Sequence, residues 1–176
     1  MTAPRVLVVM GVTGTGKTTL AELLAARLHW RLQEGDALHP PENVAKMSGG
    51  TPLTDADRWP WLDRIAAWIA ARLDAGEGGI VTCSALKRAY RERLAAGRAG
   101  VRFVFLHGSR DLLAARLAAR RGHFMPPSLL ASQLATLEPP GADEAGVIAV
   151  DVAAPPEALA AQVIAALDAE TASGAG

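Results

Sequence analysis

Short apolar runs alternate along the chain with longer segments in which apolar residues recur at helical spacing. The runs VLVV, IVTC and FVFL lack polar alternation, which is typical of strands that are covered on both faces. Strands are predicted at residues 5–10, 30–33, 79–83, 102–107 and 147–152. Helices are predicted at residues 17–28, 41–47, 61–73, 87–96, 111–121, 128–137 and 156–167. This alternation predicts an α/β fold with a parallel sheet and helices on both of its faces.

The length and charge of the chain limit its domain number and its partners. The 176 residues are expected to form a single domain, residues 1–176, with a disordered tail at 169–176. Lysines and arginines together number 18 and equal the 18 acidic residues, so no overall field favours nucleic acid or an anionic membrane. A bound anion therefore has to be held by a local group of residues.

Cysteine use and the N-terminal pattern bear on the location of the protein. Cys83 is the only cysteine, which excludes an internal disulfide and fits a reducing compartment. The first apolar run has about five residues before glycines intervene, which is too short for a signal segment or a membrane span. We therefore expect a cytoplasmic protein, in which Cys83 is a buried strand residue without reactivity.

Residues 11–18 read GVTGTGKT and match the phosphate-loop pattern G-x-x-x-x-G-K-[ST] between a predicted strand and a predicted helix. Glycines let backbone N–H groups turn toward an anion, and the helix N-terminus adds its partial positive charge. Lys17 is expected to reach the outer phosphates, and Thr18 to ligate Mg²⁺. The alternative is a flexible turn that matches by chance, which the flanking strand and helix disfavour. The residues expected to bind ATP are Gly11, Val12, Thr13, Gly14, Thr15, Gly16, Lys17, Thr18 and Thr19.

The rest of the chain indicates which kind of phosphate-loop protein this is. The guanine-reading motif N-K-x-D of GTPases does not occur in the sequence. The chain length, the strand count and the arginines near Arg120 resemble the small nucleoside-monophosphate-kinase-like group. That resemblance implies a three-layer fold with a five-stranded sheet in the order 2-3-1-4-5. It also implies a mobile lid at about 120–130 that closes over the phosphates.

A second informative stretch follows the second predicted strand, at the sheet edge where α/β proteins bind their ligands. It contains GDALHP, then N-x-x-K-M, G-x-P-L, D-x-D-R and P-W-L, between residues 35 and 62. Together with CSALK, YR, R-x-G-H-F and GADE further on, it closely resembles the gluconokinase family. The resemblance implies transfer of the γ-phosphoryl group of ATP to the 6-hydroxyl of D-gluconate, and it suggests a homodimer.

Polar residues of this stretch have the chemistry of an acceptor site, which we expect within residues 36–75. Asp36 is expected to orient the attacking hydroxyl or to accept its proton, the alternative being an aspartate that stabilises a turn. Arg58 suits a bidentate contact with a sugar-acid carboxylate, or else a salt bridge to Asp55 or Asp57. His39 is expected to bond sugar hydroxyls or to cap the following helix.

Further acceptor candidates surround the third predicted strand. Ser84 and Lys87 follow that strand, and Lys87 and Arg91 are spaced to share one helix face. These residues either contact substrate or belong to a solvated basic face. Glu34 lies two residues before Asp36, at the end of the second predicted strand. It either holds a Mg²⁺-bound water or is an ordinary strand-end charge.

Arginines near the predicted lid are candidates for contact with ATP. Arg116 and Arg120 lie four residues apart, and Arg120 is the expected catalytic cation on the transferring phosphoryl group. Such an arginine is worth roughly 10³–10⁵ in rate. The alternative is a basic helix end that the helix dipole favours. Adenine is expected between these arginines and the loop at 151–155.

Two rival functions use some of the same features. A kinase for another polar acid, such as shikimate, shares the aspartate and arginine but not the run between residues 35 and 62. A nucleotide-binding regulator without catalysis needs no carboxylate aimed at an acceptor.

No His/Cys cluster has zinc spacing, so Mg²⁺ accompanying ATP is the only metal expected.

Overall fold

Five short strands form one parallel sheet in the computed structural model, which describes residues 5–119 and 127–174. They are β1 (Val6–Met10), β2 (Arg31–Glu34), β3 (Gly79–Thr82), β4 (Val101–His107) and β5 (Val147–Asp151). Their order is β2-β3-β1-β4-β5, and each neighbouring pair is parallel. The predicted order and direction of the strands are therefore confirmed.

Helices follow the strands along the described chain. They are α1 (Lys17–Leu28), α2 (Pro41–Ser48), α3 (Asp55–Asp74), α4 (Arg88–Ala95), α5 (Arg110–Ala119), α6 (Pro127–Thr136) and α7 (Pro156–Ser173). One turn of 3₁₀ helix, Gly35–Leu38, follows β2. Among residues 5–119 and 127–174, none of the helices combines the length and the apolar character of a membrane span.

The start of α3 differs from the prediction. The sequence pattern places this start at residue 61, directly after Pro60, whereas the helix begins at Asp55. Thr54 and Asp57 form a capping box, in which each side chain accepts a hydrogen bond from the other residue's backbone N–H. This cap starts the helix early enough that Pro60 lies inside it.

The end of α7 also differs, and the prediction of a disordered tail from residue 169 is wrong for the described residues. The helix continues to Ser173. Glu170 explains the extension, because its carboxylate lies 3.4 Å from the Arg5 guanidinium and accepts a 2.9 Å hydrogen bond from Arg102. These two ion pairs attach the last helical turns to the sheet.

Apolar side chains cover the sheet on both faces. Successive side chains of β1 point to opposite faces of the sheet and so belong to two different apolar clusters. On one face, Leu7 and Val9 pack with residues of α1, α5, α6 and α7. On the opposite face, Val6, Val8 and Met10 pack with residues of α3 and α4. All five side chains are fully buried, so β1 is the centre of a three-layer fold.

The register of the strands brings three loops to one edge of the sheet. Val9 of β1 pairs with Thr82 of β3, which in turn pairs with Glu34 of β2. The backbone N–H of Gly11 donates to the Ser84 carbonyl at 3.3 Å, which links the loops after β1 and β3. Candidate residues that are far apart in the sequence therefore meet at the carboxyl ends of the strands.

Candidate active site

The loop between β1 and α1 has the backbone geometry of a phosphate cradle. Its glycines Gly11, Gly14 and Gly16 all have positive φ, at 144°, 84° and 87°. A Cβ atom on Gly11 would lie 2.7 Å from the backbone oxygen of Leu106, so a side chain has no room there. The first turn of α1 contains no acidic residue that would offset the positive end of the helix dipole. The loop therefore fits an anionic group.

Lys17 lies in the first turn of α1, with its side chain directed back along the loop. Its ammonium group donates to the carbonyls of Gly11 at 2.9 Å and Val12 at 3.1 Å. The hydroxyl of Thr15 donates to the same Val12 carbonyl at 2.8 Å, which stiffens the turn. Lys17 and Thr18 line a cavity at the sheet edge. A cation and a hydroxyl on its wall suit a phosphate and an oxygen-preferring metal such as Mg²⁺.

Asp36 lines the same cavity from the side of β2, in the 3₁₀ turn. The backbone N–H of Gly35 donates to the Thr82 hydroxyl at 3.1 Å, and its carbonyl accepts a 2.8 Å hydrogen bond from the Trp61 indole. A Cβ atom at Gly35 would lie 1.9 Å from the backbone oxygen of Thr82, so only glycine fits. The Asp36 side chain itself is 95% exposed. A rigid backbone thus presents a carboxylate that is accessible to a ligand.

Glu34 and Ser84 also line this cavity. The Glu34 carboxylate accepts a 2.5 Å hydrogen bond from the Thr82 hydroxyl, which fixes its direction. Cys83, next to Ser84, is buried, and burial raises the pKa of its thiol to about 12. The thiol therefore stays protonated and unreactive at neutral pH, as the sequence predicts.

His39 lies beneath Asp36 and is buried. Its ring stacks on Trp61 with a centroid distance of 4.1 Å, and its Nδ1 lies 3.2 Å from the amide nitrogen of Asn43. Because that nitrogen donates, the neutral ring carries its proton on Nε2, which lies 4.0 Å from the Asp36 carboxylate. Burial is the main cause that lowers the pKa of His39. The negative charge of Asp36 raises this pKa, and the positive charge of Arg58 lowers it further. His39 makes no capping hydrogen bond to α2.

Arg58 and Lys87 meet around Asp55 at the start of α3. The Asp55 carboxylate accepts hydrogen bonds from Lys87 at 3.1 and 3.2 Å, and the Arg58 guanidinium lies 3.8 Å away. The hydroxyl of Tyr90 donates to Asp55 and accepts a 3.3 Å hydrogen bond from Arg58. These contacts lower the pKa of Asp55, the Tyr90 hydroxyl most strongly. The sequence analysis named Asp55 only as an alternative salt-bridge partner of Arg58, and that contact is present. It missed Tyr90, whose only signal is its place in the YR segment.

The prediction that Arg91 contacts substrate is wrong, because Arg91 is buried and fully engaged within the protein. Its side chain is 2% exposed and forms an ion pair with Glu144 at 2.5 Å. It also donates to the backbone carbonyls of Ala85 at 2.8 Å and Glu138 at 2.9 Å. The spacing argument failed since Lys87 is extended and precedes α4, so it does not share a helix face with Arg91.

Of the arginines near the predicted lid, Arg116 lies within the described residues and Arg120 does not. Arg116 lies on α5 and donates a 2.5 Å hydrogen bond to the Val152 carbonyl, in the loop where we expect adenine. Arg120 and residues 121–126 lie outside the described residues. Thr19 is exposed on α1.

Gln133 is a cavity residue that sequence reasoning missed. It lies on α6, and its side-chain oxygen accepts a 2.6 Å hydrogen bond from the backbone N–H of Thr13 in the phosphate loop. Its side chain lines the cavity that Lys17 and Asp36 share. The only clue in the sequence is a long polar side chain in the otherwise small and apolar run LLASQLATL.

Comparison with known proteins gives consistent matches over most of the chain. A family model described as an AAA domain matches residues 6–140. A gluconokinase of Gluconobacter oxydans is 62% identical over 141 residues, which cover 80% of this chain and 79% of the relative. A thermoresistant gluconokinase of Escherichia coli is 41% identical over 159 residues, which cover 90% of this chain and 91% of the relative.

Solved structures agree with the sequence relatives. The crystal structure of a gluconokinase from Sinorhizobium meliloti superposes with a TM-score of 0.85 at 50% identity, covering 96% of this chain and 94% of that one. The APS kinase of Mycobacterium tuberculosis has a TM-score of 0.66 at 17% identity, covering 96% of this chain and 99% of that one, and shares the fold alone.

Proposed function

Because the chain belongs to the gluconokinase family of phosphate-loop kinases, we propose that it transfers the terminal phosphoryl group of ATP to D-gluconate, giving 6-phosphogluconate and ADP. One observation supports this function above all: Lys17 and Thr18 of the phosphate loop line the same cavity as the exposed carboxylate of Asp36. A phosphoryl donor and a hydroxyl acceptor that share this cavity would be in position for direct transfer.

The donor side of the reaction is assigned to the loop and the start of α1. Backbone N–H groups of the phosphate loop other than those of Gly11 and Thr13, which donate to Ser84 and Gln133, bind the phosphates, and Lys17 neutralises charge on the outer ones. The Thr18 hydroxyl would hold Mg²⁺, which when bound offsets charge on the β- and γ-phosphates. Lys17 is already fixed near the cavity by the Gly11 and Val12 carbonyls, so little ordering is needed when it changes partners.

The acceptor side is assigned to Asp36 and the cluster around Asp55. Asp36 orients the 6-hydroxyl and accepts its proton as the new O–P bond forms and the bond to the ADP oxygen breaks. Arg58 and Lys87 bind the gluconate carboxylate, while Asp55 and Tyr90 hold both cations in place. Ser84, which lines the cavity, is assigned to a sugar hydroxyl. A cytoplasmic location and a homodimer stay predictions.

The test is ADP release by the purified protein with Mg²⁺ and ATP across a panel of acceptors. We expect rapid release with gluconate, and little with shikimate or nucleoside monophosphates. Lys17→Ala should abolish turnover because the outer phosphates lose their cation. Faster turnover of shikimate would support the rival kinase. An ADP signal that no small acceptor changes would support a non-catalytic regulator.

A further inference from the structure

The contact between Gln133 and the phosphate loop crosses 120 residues of sequence and joins α6 to the donor site. The Thr13 N–H belongs to the phosphate loop, and the Gln133 oxygen accepts a hydrogen bond from it at 2.6 Å. A carboxamide has one acceptor oxygen and an NH₂ group with two donors. Because the oxygen is committed to the loop, the NH₂ group is the part of the side chain left for a ligand.

The surroundings of Gln133 favour a role in ligand binding. The side chain is half-buried and lines the cavity together with Asp36 and Lys17. Within the described residues, its oxygen has a hydrogen-bond partner and its nitrogen has none. A neutral donor on the wall of a phosphate cavity can stabilise negative charge without repelling the Mg²⁺ or Lys17 charges.

The fold holds Gln133 at this position through the end of α6. Leu130, one turn earlier, is buried in the core. The backbone N–H of Glu138 donates to the Leu86 carbonyl at 2.8 Å, and the buried Arg91 donates to the Glu138 carbonyl at 2.9 Å. The Arg91 network therefore fixes the helix that carries Gln133 relative to the loop after β3.

We propose that Gln133 is a further catalytic residue, whose NH₂ group donates to an oxygen of the transferring phosphoryl group while its oxygen holds the Thr13 amide. This inference rests on the proposed kinase function. The group stays neutral throughout, so it moves no proton. It adds a donor where negative charge is spread over the phosphoryl oxygens.

Two substitutions separate this role from simple bracing of the loop. Gln133→Met keeps the length of the side chain but removes both amide functions. Gln133→Glu keeps an acceptor for the Thr13 N–H but removes the donors. Gln162→Met, at an exposed position of α7, is the matched control. The readouts are kcat with gluconate, thermal stability, and affinities for ADP and a non-hydrolysable ATP analogue.

We expect both Gln133 variants to lower kcat by about 10²-fold, as loss of one oxyanion-type donor does. Affinity of Gln133→Glu for the ATP analogue should fall on the order of tenfold while its ADP affinity and thermal stability stay unchanged, because this variant keeps the acceptor for the Thr13 N–H and only the outer phosphate loses a partner. Full activity of Gln133→Glu, or equal loss of affinity for both nucleotides, would instead mean that Gln133 only braces the loop. Analogue binding needs no acceptor, so it tests this inference even if gluconate is not the substrate.

Discussion

Asp36 combines a fixed backbone with a free side chain. Hydrogen bonds from Gly35 to Thr82 and from Trp61 to Gly35 hold the turn on which Asp36 lies. The carboxylate lines the cavity and lies 4.0 Å from the neutral His39 ring. Its exposure leaves the carboxylate accessible to a hydroxyl group that binds in the cavity.

Replacement of Asp36 tests its role in the proposed reaction. We expect Asp36→Asn to lower kcat by about 10²–10⁴-fold, because the amide cannot accept the proton of the attacking hydroxyl. The KM for gluconate should change little, since the amide can still form a hydrogen bond. Steady-state kinetics give both values. Glu42→Gln, an exposed carboxylate on α2, is the control. A kcat near that of the wild type would remove Asp36 from the reaction.

The placement of single residues at the cavity was predictable where a motif states their chemistry, while their roles stay predictions. Lys17 and Thr18 follow from the phosphate-loop pattern, and Asp36 follows from its place after β2. Arg91 was assigned wrongly because its partner Glu144 lies 53 residues further along the chain. Gln133 has only a weak local signal, the polar side chain in an otherwise small and apolar run, since the packed fold is what brings it to the phosphate loop.

At the scale of elements, the junction of α2 and α3 supports the acceptor site. Lys46 of α2 donates to both carboxylate oxygens of Asp57, at 2.8 and 3.0 Å, and Asp57 also completes the cap with Thr54. Asn43 donates to the Asp57 carbonyl at 2.9 Å. The helix that carries Arg58 is thus attached at its first turn. The start of α3 was mispredicted because Pro60 was taken as the helix boundary and the capping box of Thr54 and Asp57 was overlooked.

The ionised form of Asp57 should stabilise the fold. Its pKa is lowered from 3.8 to about 2 by Lys46 first and then by the Thr54 N–H. The folded protein therefore binds fewer protons than the unfolded chain between these values, so stability rises with pH there. The contribution is fully present above pH 3.8 and is lost as pH falls through about 2.

Thermal unfolding of Asp57→Asn against wild type measures this effect. The variant should unfold at a lower temperature near neutral pH, and the difference should shrink as pH falls below 3.8. Asp168→Asn, at an exposed position of α7, should unfold like the wild type at each pH. A difference for Asp57→Asn that is the same at every pH would show that its charge is not involved.

At the scale of the whole molecule, the order of the strands explains why the two halves of the site meet. β1 carries the phosphate loop and lies between β3 and β4. β2, which precedes Asp36, lies on the far side of β3, two strands from β1. The alternation of apolar runs and helical segments predicted the layers, and the family resemblance supplied the strand order. The cluster of Arg58, Lys87 and Tyr90 depends on tertiary contacts that neither could supply.

We predict that a phosphoryl group passes directly from ATP to gluconate within this cavity. Phosphorus NMR of the wild-type protein mixed with Mg²⁺, ATP and gluconate follows where that group goes. We predict a phosphate monoester on the terminal hydroxyl of gluconate that forms in step with ADP, with little free orthophosphate. Formation of ADP with free orthophosphate alone, or no consumption of ATP, would contradict the account.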